Sequence, residues 1–181
     1  MPQRRSIAVY CGSRDGLMPA YRASAVAVGN ALARAGSTLV YGGGKLGLMG
    51  AVADAALEAE GRVIGVIPET LVEREHAHRG LTELHVVGSM HERKAKMTAL
   101  SDGFVVLPGG IGTLDELAEA LTWTQLGLID RPIGLFNLGG YFDHLLDWLT
   151  AGSEAGFVPK ASRDRLIVDD EPDRLVDRVL A

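Results

Sequence analysis

Three glycine-bearing turns, one arginine and one glutamate carry most of the chemistry that this sequence can do. Each turn follows a short apolar run. Cys11-Gly12-Ser13 follows Ile7–Tyr10, Gly42-Gly43-Gly44-Lys45-Leu46-Gly47 follows Thr38–Tyr41, and Pro108-Gly109-Gly110-Ile111-Gly112-Thr113 follows Phe104–Leu107. Glycine lets backbone N–H groups approach a ligand closely, and a strand-to-helix turn puts them at a helix N-terminus, where the dipole favours an anion. A single such loop reads as a tight turn. Two loops of this glycine density, 42–47 and 109–112, facing each other would cradle a phosphate, with contacts from Gly43, Gly44, Gly109, Gly110, Ile111, Gly112 and Thr113. Lys45 falls too early for a Walker A loop. Neither loop fits G-x-G-x-x-G with a ribose-binding acid about 20 residues on. The phosphate then belongs to a mononucleotide or a sugar phosphate.

The arginine is Arg93. Ser89-Met90-His91-Glu92 opens a helix, and Ser89 with Glu92 fits a capping box. Met90, Met97 and Leu100 form one apolar stripe at helical spacing, and Arg93 falls inside it. An inward arginine needs an anionic partner, because an unpaired buried charge is very costly. That partner is an internal carboxylate or a ligand. Lys94 points to solvent or to the phosphate, and Lys96 reads as solvated. The carboxylate is Glu116. Thr113-Leu114-Asp115-Glu116 also fits a capping box, with Thr113 as N-cap. Directly after the best phosphate loop, Glu116 either caps the helix or faces the ribose of a bound nucleotide.

These groups need a frame. Strands are expected at Ile7–Tyr10, Thr38–Tyr41, Val63–Ile67, Leu84–Val87, Phe104–Leu107, Ile133–Phe136 and Leu166–Val168. Helical stretches fall near 19–35, 47–60, 90–101, 113–128, 141–151 and 171–180. Strands alternating with helices give βαβ units and a parallel sheet. The expected architecture is a doubly wound, Rossmann-like α/β sheet with helices on both faces, in a single domain over 1–181, and its ligand crevice lies outside the carboxyl ends of the strands. The polar stretch 68–82 reads as a loop or short helix over the sheet edge. In the helix near 113–128, Leu114, Leu117, Leu121 and Leu128 form a core stripe. Glu116, Ala120, Trp123 and Gly127 form a second, so this helix is expected to pack on a partner subunit as a homodimer.

Bulk properties narrow the classes. The 181 residues carry a net charge of −5 and 47% hydrophobic residues, an ordinary globular balance. Without a basic stripe, a nucleic-acid partner is not expected. The lone Cys11 suits a reducing, cytoplasmic setting. The basic Met1-Pro2-Gln3-Arg4-Arg5 leads into too short an apolar run for a signal peptide. No run nears about 18 apolar residues, so no membrane partner is expected. His76-x-His78 lacks a third ligand and reads as a surface loop, so no metal is expected.

Several stretches together resemble the LONELY GUY family of cytokinin-activating phosphoribohydrolases, many of whose members are labelled lysine decarboxylase-like. They are Tyr41-Gly42-Gly43-Gly44 with Gly47-Leu48-Met49-Gly50, then Ser89-Met90-His91-Glu92-Arg93-Lys94, then Pro108-Gly109-Gly110-Ile111-Gly112-Thr113-Leu114-Asp115-Glu116. Leu121-Thr122-Trp123-Thr124-Gln125-Leu126-Gly127 continues the likeness, which runs from about Ser6 to Lys160. The resemblance implies hydrolysis of the N-glycosidic bond of AMP, or of N6-modified AMP, to free base and ribose 5-phosphate, with no cofactor. It implies Arg93 and Glu116 as the catalytic pair, and substrate contacts at Glu75, Arg93, Lys94, Gly110 through Glu116, and Thr122. Asp115 stands where glutamate is usual, a change that keeps the charge.

A pyridoxal decarboxylase would need a Schiff-base lysine and a partner for the pyridinium nitrogen. None of Lys45, Lys94, Lys96 and Lys160 has such surroundings in the sequence. The readings left beside the hydrolase are a non-catalytic nucleotide or cofactor carrier using the same loops, and a hydrolase of the phosphate ester. The second lacks a visible nucleophile or metal cluster.

Overall fold

The computed structural model describes residues 5–181. Met1–Arg4, the start of the basic stretch, lie outside the described residues. Each expected apolar run forms a strand: β1 Ser6–Tyr10, β2 Thr38–Tyr41, β3 Arg62–Pro68, β4 Glu83–Val87, β5 Gly103–Val106, β6 Ile133–Phe136 and β7 Leu166–Asp169. They pair in parallel as one seven-stranded sheet, in the order β4-β3-β2-β1-β5-β6-β7. The inner strands read as continuous β-branched runs because helices cover both of their sides. Along β1, Ile7 and Val9 enter one apolar core while Ala8 and Tyr10 enter the other.

The helices are α1 Pro19–Arg34, α2 Gly47–Glu58, α3 Met90–Ala99, α4 Ile111–Gln125, α5 Asp143–Glu154, α6 Lys160–Asp164 and α7 Pro172–Leu180. Five-residue α6 and the 3₁₀ turn at Leu138–Gly140 were not expected; they are too short to leave a period in the sequence. α1 lies directly on α2 at Gly29, where a Cβ would stand 2.4 Å from the Val52 carbonyl oxygen. The chain runs outward from β1 to β4, then returns to β5 on the other flank of β1. This reversal is the switch point at which doubly wound sheets open a crevice.

Three local expectations are corrected. α4 starts at Ile111, not Thr113, and its N-cap is Gly110 with no side-chain cap. Neither Thr113 nor Glu116 therefore forms a capping box; they stand in the first and second turns of the helix. The core stripe of α4 is Thr113, Leu117, Ala120 and Thr124, whereas Leu114 and Leu128 are exposed and Ala120 is buried in its own chain. The stretch 68–82 forms a 3₁₀ turn at Glu69–Leu71 and a bridge between Ala77 and Gly44, which folds it over the carboxyl end of β2 rather than the sheet edge.

Candidate active site

At the switch point lies a cavity of about 770 Å³, within the range usual for small-molecule sites. Its walls are the turn after β1, Gly42 after β2, the loop at 71–75, the start of α3, and the turn from β5 into α4. Cys11 forms part of the wall, and burial pushes its thiol far above the usual range, with the Glu116 carboxylate adding to the shift and Arg93 opposing it. It stays a neutral, unreactive thiol.

The β5–α4 turn leaves backbone donors open at a helix start, an arrangement able to take an anion. Helix starts leave backbone donors without intrahelical partners. Here the first turn exposes the N–H groups of Ile111, Gly112 and Thr113, and no side chain caps them. Leu114 N–H donates to the Gly110 carbonyl at 3.0 Å, so the helix proper begins there. A Cβ at Gly110 or Gly112 would meet nothing within 4 Å, and neither residue has positive φ. Neither packing nor backbone conformation in this chain requires glycine at those positions. Gly109 differs: a Cβ there would strike the Thr113 Oγ1 at 2.0 Å. Its carbonyl accepts from the Tyr141 hydroxyl at 2.6 Å.

Arg93 is 4% exposed. Its internal carboxylate partner is Glu75. Its Nη2 donates to the Gly42 carbonyl at 2.6 Å and reaches Glu75 Oε2 at 3.2 Å, and its Nε donates to the Val66 carbonyl at 3.1 Å. Among the described residues Nη1 has only the Met90 sulfur, at 3.9 Å, a weak acceptor that leaves its donors uncommitted. Arg93 and Met90 both line the cavity. Ser89 accepts from Glu92 N–H at 3.1 Å and starts α3 as expected. The Glu92 carboxylate takes the N–H of Gly88, at 2.7 Å.

Glu116 lines the same cavity and makes no hydrogen bond or ion pair among the described residues. Burial pushes its carboxyl up to about 7; Arg93 opposes this, Asp115 and Glu75 add to it, and Lys94 opposes it. A carboxyl poised near neutrality, facing a cavity and committed to no structural partner, suits proton transfer or stabilisation of a passing positive charge.

Not every expected contact reaches the cavity. Gly43 and Gly44 hold the loop beneath them: His78 N–H donates to the Gly43 carbonyl at 2.8 Å, and Gly44 bridges Ala77. The facing partner of the 109–113 loop is instead the first turn, where Gly12 N–H donates to the Pro108 carbonyl at 3.1 Å. Lys94 is drawn away from the cavity by two carboxylates, Asp115 at 3.0 Å and Glu119 at 2.9 Å, and ties α3 to α4. Leu114 and Thr122 are exposed on α4; the Thr122 hydroxyl donates to the Ala118 carbonyl at 2.7 Å. Glu75, Gly109, Gly110, Ile111, Gly112, Thr113 and Asp115 do line the cavity.

His78 is not a surface residue. It is 5% exposed, its Nδ1 accepts from Gly80 N–H at 3.1 Å, and its Nε2 then donates to Asp54 at 2.8 Å. Arg14, Arg74 and Tyr141 also line the cavity; sequence reasoning missed them, since they sit in irregular turns with no period to expose them.

No lysine lines the cavity among the described residues, so no amine is placed to hold pyridoxal there. A family model described as "Possible lysine decarboxylase" matches residues 49–179. A cytokinin riboside 5'-monophosphate phosphoribohydrolase from Rhodococcoides fascians is 47% identical over 168 residues, 92% of this chain and 85% of that one. One from Oryza sativa subsp. japonica is 44% identical over 164 residues, 91% of this chain and 67% of that one. Among solved structures, the molybdenum cofactor binding protein from Rippkaea orientalis superposes with a TM-score of 0.74 at 22% identity, covering 100% of both chains. The Chlamydomonas rheinhardtii Moco carrier protein gives 0.73 at 22%, covering 98% of each. At that identity the likeness is one of fold. No helix among the described residues is long and apolar enough to cross a membrane. Matched by the family model over most of its length and by these relatives over nine-tenths of it, the chain belongs to the LONELY GUY family, for which "lysine decarboxylase" is only a label.

Proposed function

We propose that the protein hydrolyses the N-glycosidic bond of adenine-type nucleoside 5'-monophosphates, releasing the base and ribose 5-phosphate. One observation carries this reading: an uncommitted carboxylate, Glu116, stands five residues into a helix whose N-terminus is left uncapped, in one cavity. Five residues of helix rise about 7.5 Å, a span that a ribose 5-phosphate bridges. The phosphate takes the N–H groups of Ile111, Gly112 and Thr113, and its binding energy positions the ribose against Glu116.

Ribosyl transfer passes through an oxocarbenium-like state. The Glu116 carboxylate stabilises the positive charge at C1' and takes a proton from the attacking water. The departing base gathers negative charge, meets the uncommitted Nη1 donors of Arg93 and takes up a proton from solvent, while Glu116 returns its own proton to solvent. Glu75 and the Gly42 carbonyl hold the guanidinium, and Lys94 holds α3 against α4, so Lys94 acts here by positioning. The relatives are named for cytokinin riboside monophosphates. The substrate proposed here is AMP or an N6-substituted AMP.

We further propose a homodimer, with Ala120 replaced at the contact by the exposed apolar residues Ile111, Leu114, Leu126 and Leu128. The single buried thiol suits a cytoplasmic setting. The test is incubation with AMP, N6-substituted AMP and adenosine, followed by product chromatography. Adenine and ribose 5-phosphate are expected from the nucleotides, with adenosine a far poorer substrate. Equal rates on nucleoside and nucleotide contradict the phosphate site. Tight binding without turnover would instead make the chain a carrier, the role in the names of its neighbours in fold.

A further inference from the structure

The charges around the cavity do not balance within the protein. Four acids and three arginines line it: Asp15, Glu75, Asp115 and Glu116 with Arg14, Arg74 and Arg93. Asp15 is taken by Arg22 at 2.8 Å, Glu75 by Arg93 at 3.2 Å, and Asp115 by Lys94 at 3.0 Å. What is left over is one carboxylate, Glu116, and two cations, Arg14 and Arg74, neither of which makes a side-chain hydrogen bond or ion pair among the described residues. The leftover charges match a substrate with a dianionic end and a centre that turns cationic during reaction.

The two arginines hang from backbones that are already fixed. Arg14 follows Gly12, whose carbonyl accepts from Met49 N–H at 3.2 Å, and its backbone nitrogen lies against Gly47, where a Cβ would stand 2.4 Å away. Gly47 has a φ of +60°, a conformation that glycine adopts at little cost. Arg74 sits in a turn closed by Glu75 N–H to the Leu71 carbonyl at 2.8 Å and pinned by Lys45 N–H to the Glu75 carbonyl at 3.2 Å. Only the exposed side chains remain to be ordered. A guanidinium offers paired donors in a fork that fits phosphate oxygens.

We propose that Arg14 and Arg74, one from each loop at the mouth, close on the phosphate of the bound nucleotide and select phosphorylated substrates over nucleosides. This rests on the phosphoribohydrolase reading and extends its phosphate site beyond the α4 N-terminus. The backbone donors of Ile111, Gly112 and Thr113 grip one side of the phosphate. The two guanidinium groups cover the side facing solvent, neutralise its charge and hold it until the base has left. The backbone donors at the start of α4 set where the phosphate sits, and the two arginines add only to its retention, so their loss falls on affinity more than on the chemical step.

The test uses the whole chain and the variants Arg14→Ala, Arg74→Ala, their double, and Arg74→Lys. Ribose 5-phosphate binding is read by calorimetry, and AMP and adenosine cleavage by adenine release. The double variant should bind ribose 5-phosphate at least 10-fold more weakly, raise the AMP KM by a similar factor with kcat within about 3-fold, and lose at least 10-fold of the preference for AMP over adenosine. Arg74→Lys should recover part of the loss. Binding of ribose 5-phosphate at wild-type strength by the double variant overturns the clamp. So does a double variant that loses only the salt dependence of kcat/KM, since the arginines would then steer the substrate without holding it. A wild-type protein that binds ribose 5-phosphate but frees no adenine would overturn the reaction while leaving the clamp measurable by calorimetry.

Discussion

The two glycine-rich loops look alike as sequence and differ as structure. At Gly42, a Cβ would stand 2.1 Å from the Arg93 Nη2; at Gly47, 2.4 Å from the Arg14 backbone. In that loop glycine is demanded by the protein itself, which packs a guanidinium and a neighbouring turn onto bare backbone. At Gly110 and Gly112 a Cβ would meet open space. The protein itself makes no demand for glycine there, which fits the phosphate proposed to enter from outside. A glycine-rich turn thus carries two meanings, and what its missing side chain would touch separates them.

The largest effect is expected at the first loop. Gly42→Ala drives a methyl into the Arg93 guanidinium and frees Glu75 from its pair, which should lower stability by about 3–5 kcal/mol and abolish adenine release. Denaturant unfolding and an AMP assay check both, and a stable, active Gly42→Ala would remove the contrast between the loops. The second loop should respond in the opposite sense. Gly112→Ala meets no atom and favours the helix, so stability should hold or rise by up to about 1 kcal/mol, while kcat/KM on AMP falls at least 10-fold as the methyl blocks the phosphate. Full activity in that variant would mean that no ligand group approaches Gly112. Leu114→Glu, on the exposed face of the same helix, should shift the protein from dimer to monomer in light scattering. An unchanged mass would move the contact elsewhere.

A further effect is one of pH. The folded Glu116 carboxyl, at about 7, lies above its ordinary value of 4.5. The folded state therefore holds that proton more tightly than the unfolded state. Its contribution is complete below about pH 4.5 and is lost as pH rises to about 7. Relative to a Glu116→Gln variant, the parent should lose up to about 3 kcal/mol of stability between pH 4.5 and pH 8. A constant difference between the two melting temperatures across that range would mean that Glu116 is an ordinary, solvated carboxylate.

Strand positions were legible because β-branched runs buried on both faces leave an unbroken signal, and all seven strands formed where those runs stand. Arg93 was legible as inward because helical spacing placed it with Met97. Its holders, the carbonyls of Gly42 and Val66 and the Glu75 carboxylate, come from distant segments and leave no local trace. The start of α4 was misread for a reason tied to the site. Thr113 and Glu116 fit a capping box, but that rule assumes that a helix satisfies its own first turn, and this helix leaves its donors open to the cavity. The apolar pattern of α4 had the right period and the wrong phase, because Leu114 lies on a face that the single chain leaves exposed and Leu128 lies beyond the end of the helix. Local rules failed where a ligand or a partner surface would complete the structure.

The most direct measurement is adenine release from AMP by Glu116→Gln, with ribose 5-phosphate binding measured on the same sample. Among the described residues Glu116 caps nothing and holds no ion pair, so glutamine keeps the shape of the helix and removes only the charge and the capacity to take a proton. Turnover should fall by at least roughly 10²-fold, with ribose 5-phosphate bound as tightly as by the parent and folding intact. A variant that binds, folds and releases adenine at the parental rate would contradict the assignment of Glu116 to the bond-breaking step.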